Sequence, residues 1–300
     1  MPDINSISRE EIDDILAKQA YITESHISMS VFLAIRLGKP LLIEGPAGVG
    51  KTEVAKVLSR GLDLKLVRMQ CYEGLDASQA LYEWNYQRQL LHLKIEEGEQ
   101  HSIAEKEQTI FSEKFLLKRP LLQAITDTER TVLLIDEIDR ADEEFESFLL
   151  ELLSDWQITI PEIGTIEANY KPIVVVTSNR VRELSEALRR RCLYLYIDYP
   201  TFDKELSIVT DKVPGINQLL AKQICQFMAQ VREQRLTKVP GIAETLDWAT
   251  ALVEMHFDHL DPEIVEQTLG VVLKDWKDLR RTQMSLSELF EKTGITPKVS

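Results

Sequence analysis

Residues 45–52 read Gly45-Pro46-Ala47-Gly48-Val49-Gly50-Lys51-Thr52, the spacing G-x-x-x-x-G-K-[ST]. In that pattern the glycines let backbone N–H groups curl around phosphate oxygens, the lysine meets the outer phosphates and the hydroxyl meets magnesium. It carries that meaning only where a strand runs in and a helix runs out. Residues 40–44 form a short apolar run and residues 53–60 resume helical spacing before Gly61, so the context is met. The first turn of such a helix adds a dipole favourable to anions. An ordinary glycine-rich turn is the competing reading, and the strand–loop–helix context weighs against it.

A second constellation is Val132-Leu-Leu-Ile-Asp136-Glu137, an apolar strand delivering two carboxylates at its carboxyl end, where ligands of parallel sheets gather. This is a Walker B pattern: Asp136 is expected to hold magnesium through its water shell and Glu137 to orient and polarise an attacking water. Two solvated residues at a strand end would look the same in isolation. A third apolar run, residues 173–177, ends in Ser178-Asn179, where a neutral amide could hydrogen-bond a terminal phosphate or the water without adding charge. A turn asparagine is the alternative. Asp139 and Arg140 read equally as surface or interface residues.

Positioning these groups takes a particular arrangement of elements. Helical spacing over residues 9–19 and 25–37 predicts two helices before the first strand, and 64–70, 131–135, 173–177 and 193–197 read as further strands. Residues 142–153 form an amphipathic helix, and Pro161 and Gly164 between two β-prone runs predict a hairpin over 157–168. Short apolar strands alternating with helices imply an α/β fold with a parallel sheet between helices. After Pro200 no strand pattern recurs, and 203–211, 216–235, 243–256 and 262–280 read as helices. The expected organisation is a nucleotide-binding core over 1–200 and a helical lid domain over 201–300. Residues 75–93 show no clean period, and 96–108 is a charged run.

The 300-residue chain has 44% hydrophobic and 28% charged residues, ordinary for a globular protein. Its net charge of −14 opposes non-specific binding to nucleic acid or anionic lipid. Cys71, Cys192 and Cys225 are widely separated and lack metal-ligand spacing, which suggests neither a disulfide framework nor a zinc site. No basic-then-apolar leader opens the sequence and no apolar run reaches membrane-span length, so a cytoplasmic protein is expected. The five histidines, His26, His92, His101, His256 and His259, form no ligand constellation.

GPAGVGKT, LLIDEIDR, VVVTSN and EALRRRC occur in the order and context of AAA+ ATPases, which the chain resembles over roughly residues 10–260. More narrowly it resembles the MoxR family, and Gln70-Cys-Tyr-Glu-Gly-Leu-Asp76, Tyr82-Glu-Trp-Asn-Tyr86 and Glu244-Thr-Leu-Asp-Trp-Ala249 resemble its CoxD-like members. The resemblance implies ATP and Mg2+ as cofactors, a homo-hexameric ring, and a trans-acting arginine for which Arg191 is the best match. Arg189 and Arg190 could share that role, and a basic cap or internal ion pair is the other reading. Gln70 falls where relatives hold the catalytic glutamate inactive, a place where any polar strand terminator would look the same. Ala243 stands where many relatives carry a lid arginine, a departure from the pattern. Tyr21 and Ile22 fall at the adenine pocket or, equally, in plain core. The 72–76 loop and the 157–168 hairpin would face a central channel, and Trp84 and Tyr86 read as buried packing.

The favoured activity is ATP-driven remodelling or metallocofactor maturation of a client, with a von Willebrand factor A domain protein as partner. A nucleic-acid motor is one alternative, opposed by the net charge. A nucleotide-gated scaffold with little turnover is another: Ala243 favours it, and the Asp136-Glu137 pair opposes it.

Overall fold

The computed structural model describes residues 6–95 and 103–295. Chain contacts divide it into two compact units, one comprising 1–19, 23–44 and 52–196, the other Ala20–Ile22, Gly45–Lys51 and Ile197–Ser300. The second unit therefore takes in two segments from the first 200 residues besides the carboxyl-terminal region.

The first unit opens with α1 (Arg9–Lys18), started by a reciprocal cap between Ser8 and Glu11, and α2 (Ser25–Leu37), closed by left-handed Gly38. Then follow β1 (Leu41–Glu44), α3 (Lys51–Leu62) and β2 (Lys65–Gln70). Residues 77–126, which take in most of the stretch 75–93 whose sequence showed no clean period, hold α4 (Ala77–Leu81), β3 (Tyr82–Trp84), α5 (Tyr86–Ile95), α6 (Ile103–Ile110), β4 (Leu116–Lys118) and α7 (Pro120–Thr126). Residues 96–102 of the charged run, His101 among them, lie outside the described residues. The unit continues through β5 (Thr131–Asp136), α8 (Glu143–Asp155), β6 (Gln157–Ile160), β7 (Gly164–Glu167), β8 (Ile173–Ser178), α9 (Glu186–Arg191) and β9 (Leu193–Tyr196).

Five strands form a parallel sheet in the order β2-β5-β8-β1-β9, flanked by helices. Position in the sheet explains the strand sequences. Central β5 and β8 are buried at every residue, whereas β2 at the edge alternates buried and exposed positions. The register aligns the strand ends, pairing Gln70 with Asp136 and Glu44 with both Ser178 and Tyr196. One edge of the sheet therefore carries Glu44, Gln70, Asp136 and Ser178 together. The predicted hairpin forms as β6 paired antiparallel to β7.

Sequence reasoning treated Trp84 and Tyr86 alike, and the structure separates them. Trp84 is buried, edge-on to Phe111 with ring centroids 5.4 Å apart, while Tyr86 is 62% exposed. Trp84 ends the short β3 strand paired to β4, and Tyr86 begins α5 on its open side.

The second unit contains α10 (Phe202–Lys212), α11 (Gln218–Arg232), α12 (Ile242–Glu254), α13 (Pro262–Val272), α14 (Trp276–Met284) and α15 (Leu286–Thr293). Its core centres on Trp248, fully buried, whose indole N–H donates to Thr268 Oγ1 at 2.8 Å and whose ring packs on Phe227. The continuous helix expected over 262–280 is instead two helices. Asp275 accepts the backbone N–H groups of Lys277 and Asp278, and so starts a new helix where period alone would run straight through. Among the described residues no helix is long and apolar enough to cross a membrane.

Candidate functional site

β5 carries Asp136 to the carboxyl edge of the sheet, where the side chain is almost fully buried. A buried carboxylate must be hydrogen-bonded, and this one has three polar partners. Its Oδ1 accepts the hydroxyls of Thr52, at 3.0 Å, and Thr177, at 2.6 Å, and its Oδ2 lies 2.6 Å from an Arg68 guanidinium nitrogen. The structure therefore brings Thr52 from the start of α3 to Asp136, across 84 residues of sequence. A hydroxyl and a carboxylate are hard oxygen donors of the kind magnesium takes, usually with several waters retained, so the pair fits that ion.

Glu137 adopts left-handed backbone angles, φ 56° and ψ 50°, a conformation costing a non-glycine residue roughly 1–2 kcal/mol. Its N–H is held by Thr177 Oγ1 at 2.9 Å, so one threonine hydroxyl bridges both acidic residues. The Glu137 carboxylate pairs with Arg140, Nε to Oε2 at 2.6 Å. Among the described residues, Gln70 does not bond Glu137. Its Oε1 accepts from Arg68 at 2.9 Å, so the cation holding Glu137 is Arg140, three residues along the chain.

Asp139 is neither a surface nor an interface group, because it is 2% exposed. Its two oxygens accept the N–H of Asn179, each at 3.1 Å, and Oδ2 also accepts the N–H of Val181 at 2.8 Å. This buried carboxylate fixes the turn that presents Asn179 after β8. Beyond the turn, buried Glu146 on α8 accepts the Ser185 N–H at 2.9 Å and pairs with Arg182, tying α9 to α8.

The three consecutive arginines on α9 have three different partners. Arg189 reaches Glu44 Oε1 at 3.3 Å, Arg190 pairs with Glu186 on its own helix, and Arg191 Nε donates to Ser154 Oγ at 2.7 Å. Sequence reasoning did not single out Glu44. It is 2% exposed at the end of β1 and also accepts the Tyr194 hydroxyl at 3.0 Å, with Arg180 3.8 Å away. A charged residue closing an otherwise apolar strand was its only signal. Partial burial, with the bond to Glu44 second, pushes the Tyr194 phenol above its usual value.

Within the second unit the glycine-rich loop packs on the start of α12. The Gly48 carbonyl accepts the N–H groups of Ile242, at 3.0 Å, and Ala243, at 3.3 Å. Gly48 has φ +74°, and a Cβ on Gly241 would lie 2.8 Å from Gly48 Cα, so glycine faces glycine because nothing larger fits. Ala243 thus meets the loop through its backbone. Lys51, 6% exposed, donates to the carbonyls of Gly45 at 2.8 Å and Pro46 at 2.5 Å. Gly50 has φ +92°, and among the described residues no atom beyond its chain neighbours lies within 4 Å of where a Cβ would sit, which leaves room at the helix-entering end of the loop. Such a loop opening a helix suits phosphate oxygens. Tyr21 and Ile22 are half-buried and group with this loop in the same unit.

The turn at Pro240 and Gly241 is itself braced. Arg232 donates to the Pro240 carbonyl at 2.8 Å and to both Glu205 oxygens at 2.6 and 2.7 Å, and Thr245 donates to Glu205 at 2.7 Å.

The profile of the AAA domain (dynein-related subfamily) matches residues 40–192, just over half of the 300-residue chain. An uncharacterized protein of Staphylococcus epidermidis is 26% identical over 227 residues, covering 73% of this chain and 78% of its own. The denitrification regulatory protein NirQ of Pseudomonas aeruginosa is 25% identical over 238 residues, covering 76% of this chain and 80% of its own. Among solved structures, a RuvB mutant of Thermotoga maritima superposes with a TM-score of 0.50 at 20% identity over 97% of this chain and 83% of its own, a likeness of fold.

Proposed function

From the premise that this chain belongs to the AAA domain (dynein-related subfamily) family, we propose that it is a MoxR-type ATPase that uses Mg-ATP hydrolysis to remodel another protein. The observation that carries the reading is the meeting of Thr52, Asp136, Thr177 and Glu137 at one sheet edge. Bound nucleotide and magnesium supply a transferable phosphoryl group and the positive charge that offsets its departure. Residues 45–51 cradle phosphate through backbone N–H groups, with Lys51 exchanging its loop carbonyls for phosphate oxygens. Thr52 and Asp136 hold magnesium, Glu137 orients water and accepts its proton, and Asn179 adds a neutral donor. Tyr21 and Ile22 take the adenine face.

Arg191 is presented to the site of a neighbouring copy in a homo-hexameric ring. Its bond to Ser154 is one an exposed side chain can exchange at little cost. The ring works in the cytoplasm on a metalloenzyme client, together with a von Willebrand factor A domain partner, as a CoxD-like member would. A relative named as a regulatory protein suits a chain that acts on other proteins, and a net charge of −14 suits protein partners better than nucleic acid. A second reading, a nucleotide-gated scaffold with little turnover, is favoured by Ala243 meeting the loop through its backbone.

The test is nucleotide affinity. Lys51→Ala should weaken binding of a fluorescent ATP analogue by at least about tenfold, about 1.4 kcal/mol. Undiminished affinity would remove the phosphate-binding role of the loop.

A further inference from the structure

Alternate residues of a strand share one face, so Arg68 and Gln70 of β2 stand side by side at the exposed edge of the sheet. Arg68 uses one guanidinium nitrogen for two contacts, Asp136 Oδ2 at 2.6 Å and Gln70 Oε1 at 2.9 Å. Its side chain is 50% exposed while that of Asp136 is 5% exposed. The other Asp136 oxygen is taken by two hydroxyls. Thr52 and Thr177 are neutral and can keep donating while a cation approaches. Arg68 brings a full positive charge to this carboxylate, and like charges on one carboxylate repel.

We propose that Arg68 is a positioning residue that competes with magnesium for the Asp136 carboxylate, with Gln70 steering it. Nucleotide-dependent engagement of the metal then requires Arg68 to swing outward, which its half-exposed side chain on an edge strand permits. The inference rests on the proposed Mg-ATP reading and adds a determinant of metal demand. It also gives Gln70 a role through Arg68 rather than through Glu137. A contact that merely stabilised the fold would alter melting and leave the magnesium requirement unchanged, so the two roles separate by measurement.

The experiment titrates magnesium against binding of a fluorescent ATP analogue to the full chain, with a parallel series in EDTA. Losing a charge-assisted bond that is half exposed should lower the magnesium midpoint by about fivefold in Arg68→Ala, leave binding in EDTA unchanged, and lower the midpoint less in Gln70→Ala. Arg68→Lys, which keeps the charge, should stay near wild type. Arg68→Gln repeats the test with most of the packing retained should the alanine variant fail to fold. An unchanged or higher midpoint in folded charge-removing variants would overturn the inference and leave the nucleotide reading standing. Wild-type protein that binds no analogue, with or without magnesium, would overturn both.

Discussion

Burial and neighbouring charge act together on Cys71, which follows Gln70 and whose N–H donates to the Asp136 carbonyl at 2.8 Å. Burial first, and the carboxylates of Asp136, Asp139 and Glu137 after it, push its thiol up to about 12. A thiol held protonated is a poor nucleophile. In folded protein a thiol reagent at neutral pH should therefore leave Cys71 unmodified, and mass mapping should find it labelled only after unfolding. Labelling in the native state would contradict the packing of β2 against β5. Because the folded pKa lies above the ordinary 9.0, the thiol's contribution to stability is full below pH 9.0 and is lost as the pH rises through about 12. At this scale the candidate site was partly legible. The glycine-rich loop and the Asp136-Glu137 pair have fixed spacings that carry chemistry. Arg68, Glu44 and Asp139 were not legible as partners, because their roles come from strand register and turn geometry that residue type does not encode.

At the scale of elements, period and punctuation located the strands of the main sheet, since an apolar run between turn residues has few other fates. Between residues 75 and 126 the elements are three to ten residues long, too short to show a period. The last helix was also missed, although buried Leu286, Leu289 and Phe290 have helical spacing. The brace under α12 is a testable consequence of packing. Arg232 and Glu205 have side chains 10% and 2% exposed, and removing one member of a buried pair strands the other charge. Arg232→Ala should lower unfolding stability by about 3–5 kcal/mol in urea titration. Arg232→Leu with Glu205→Met should recover most of the loss. A loss below about 1 kcal/mol, the range of an exposed pair, would mean that the charges are not sequestered from water.

At the scale of the whole molecule, residue patterning predicts a parallel α/β sheet followed by helices, and the five-stranded parallel sheet and the later helices both form. Assembly depends on surfaces of other copies and so lies beyond what one chain's periodicity carries. If Arg191 completes a neighbour's site, Glu137→Gln protein with Mg-ATP should sediment near six times the 34.4 kDa chain mass, and a persistent monomer with nucleotide bound would remove the ring. Hydrolysis itself is the most direct test of the central claim, read as phosphate release from Mg-ATP by wild type and by Glu137→Gln at matched nucleotide occupancy. The account predicts turnover in wild type and a fall of at least about 100-fold in the variant, the scale of a lost general base. Equal rates in the two proteins would contradict it.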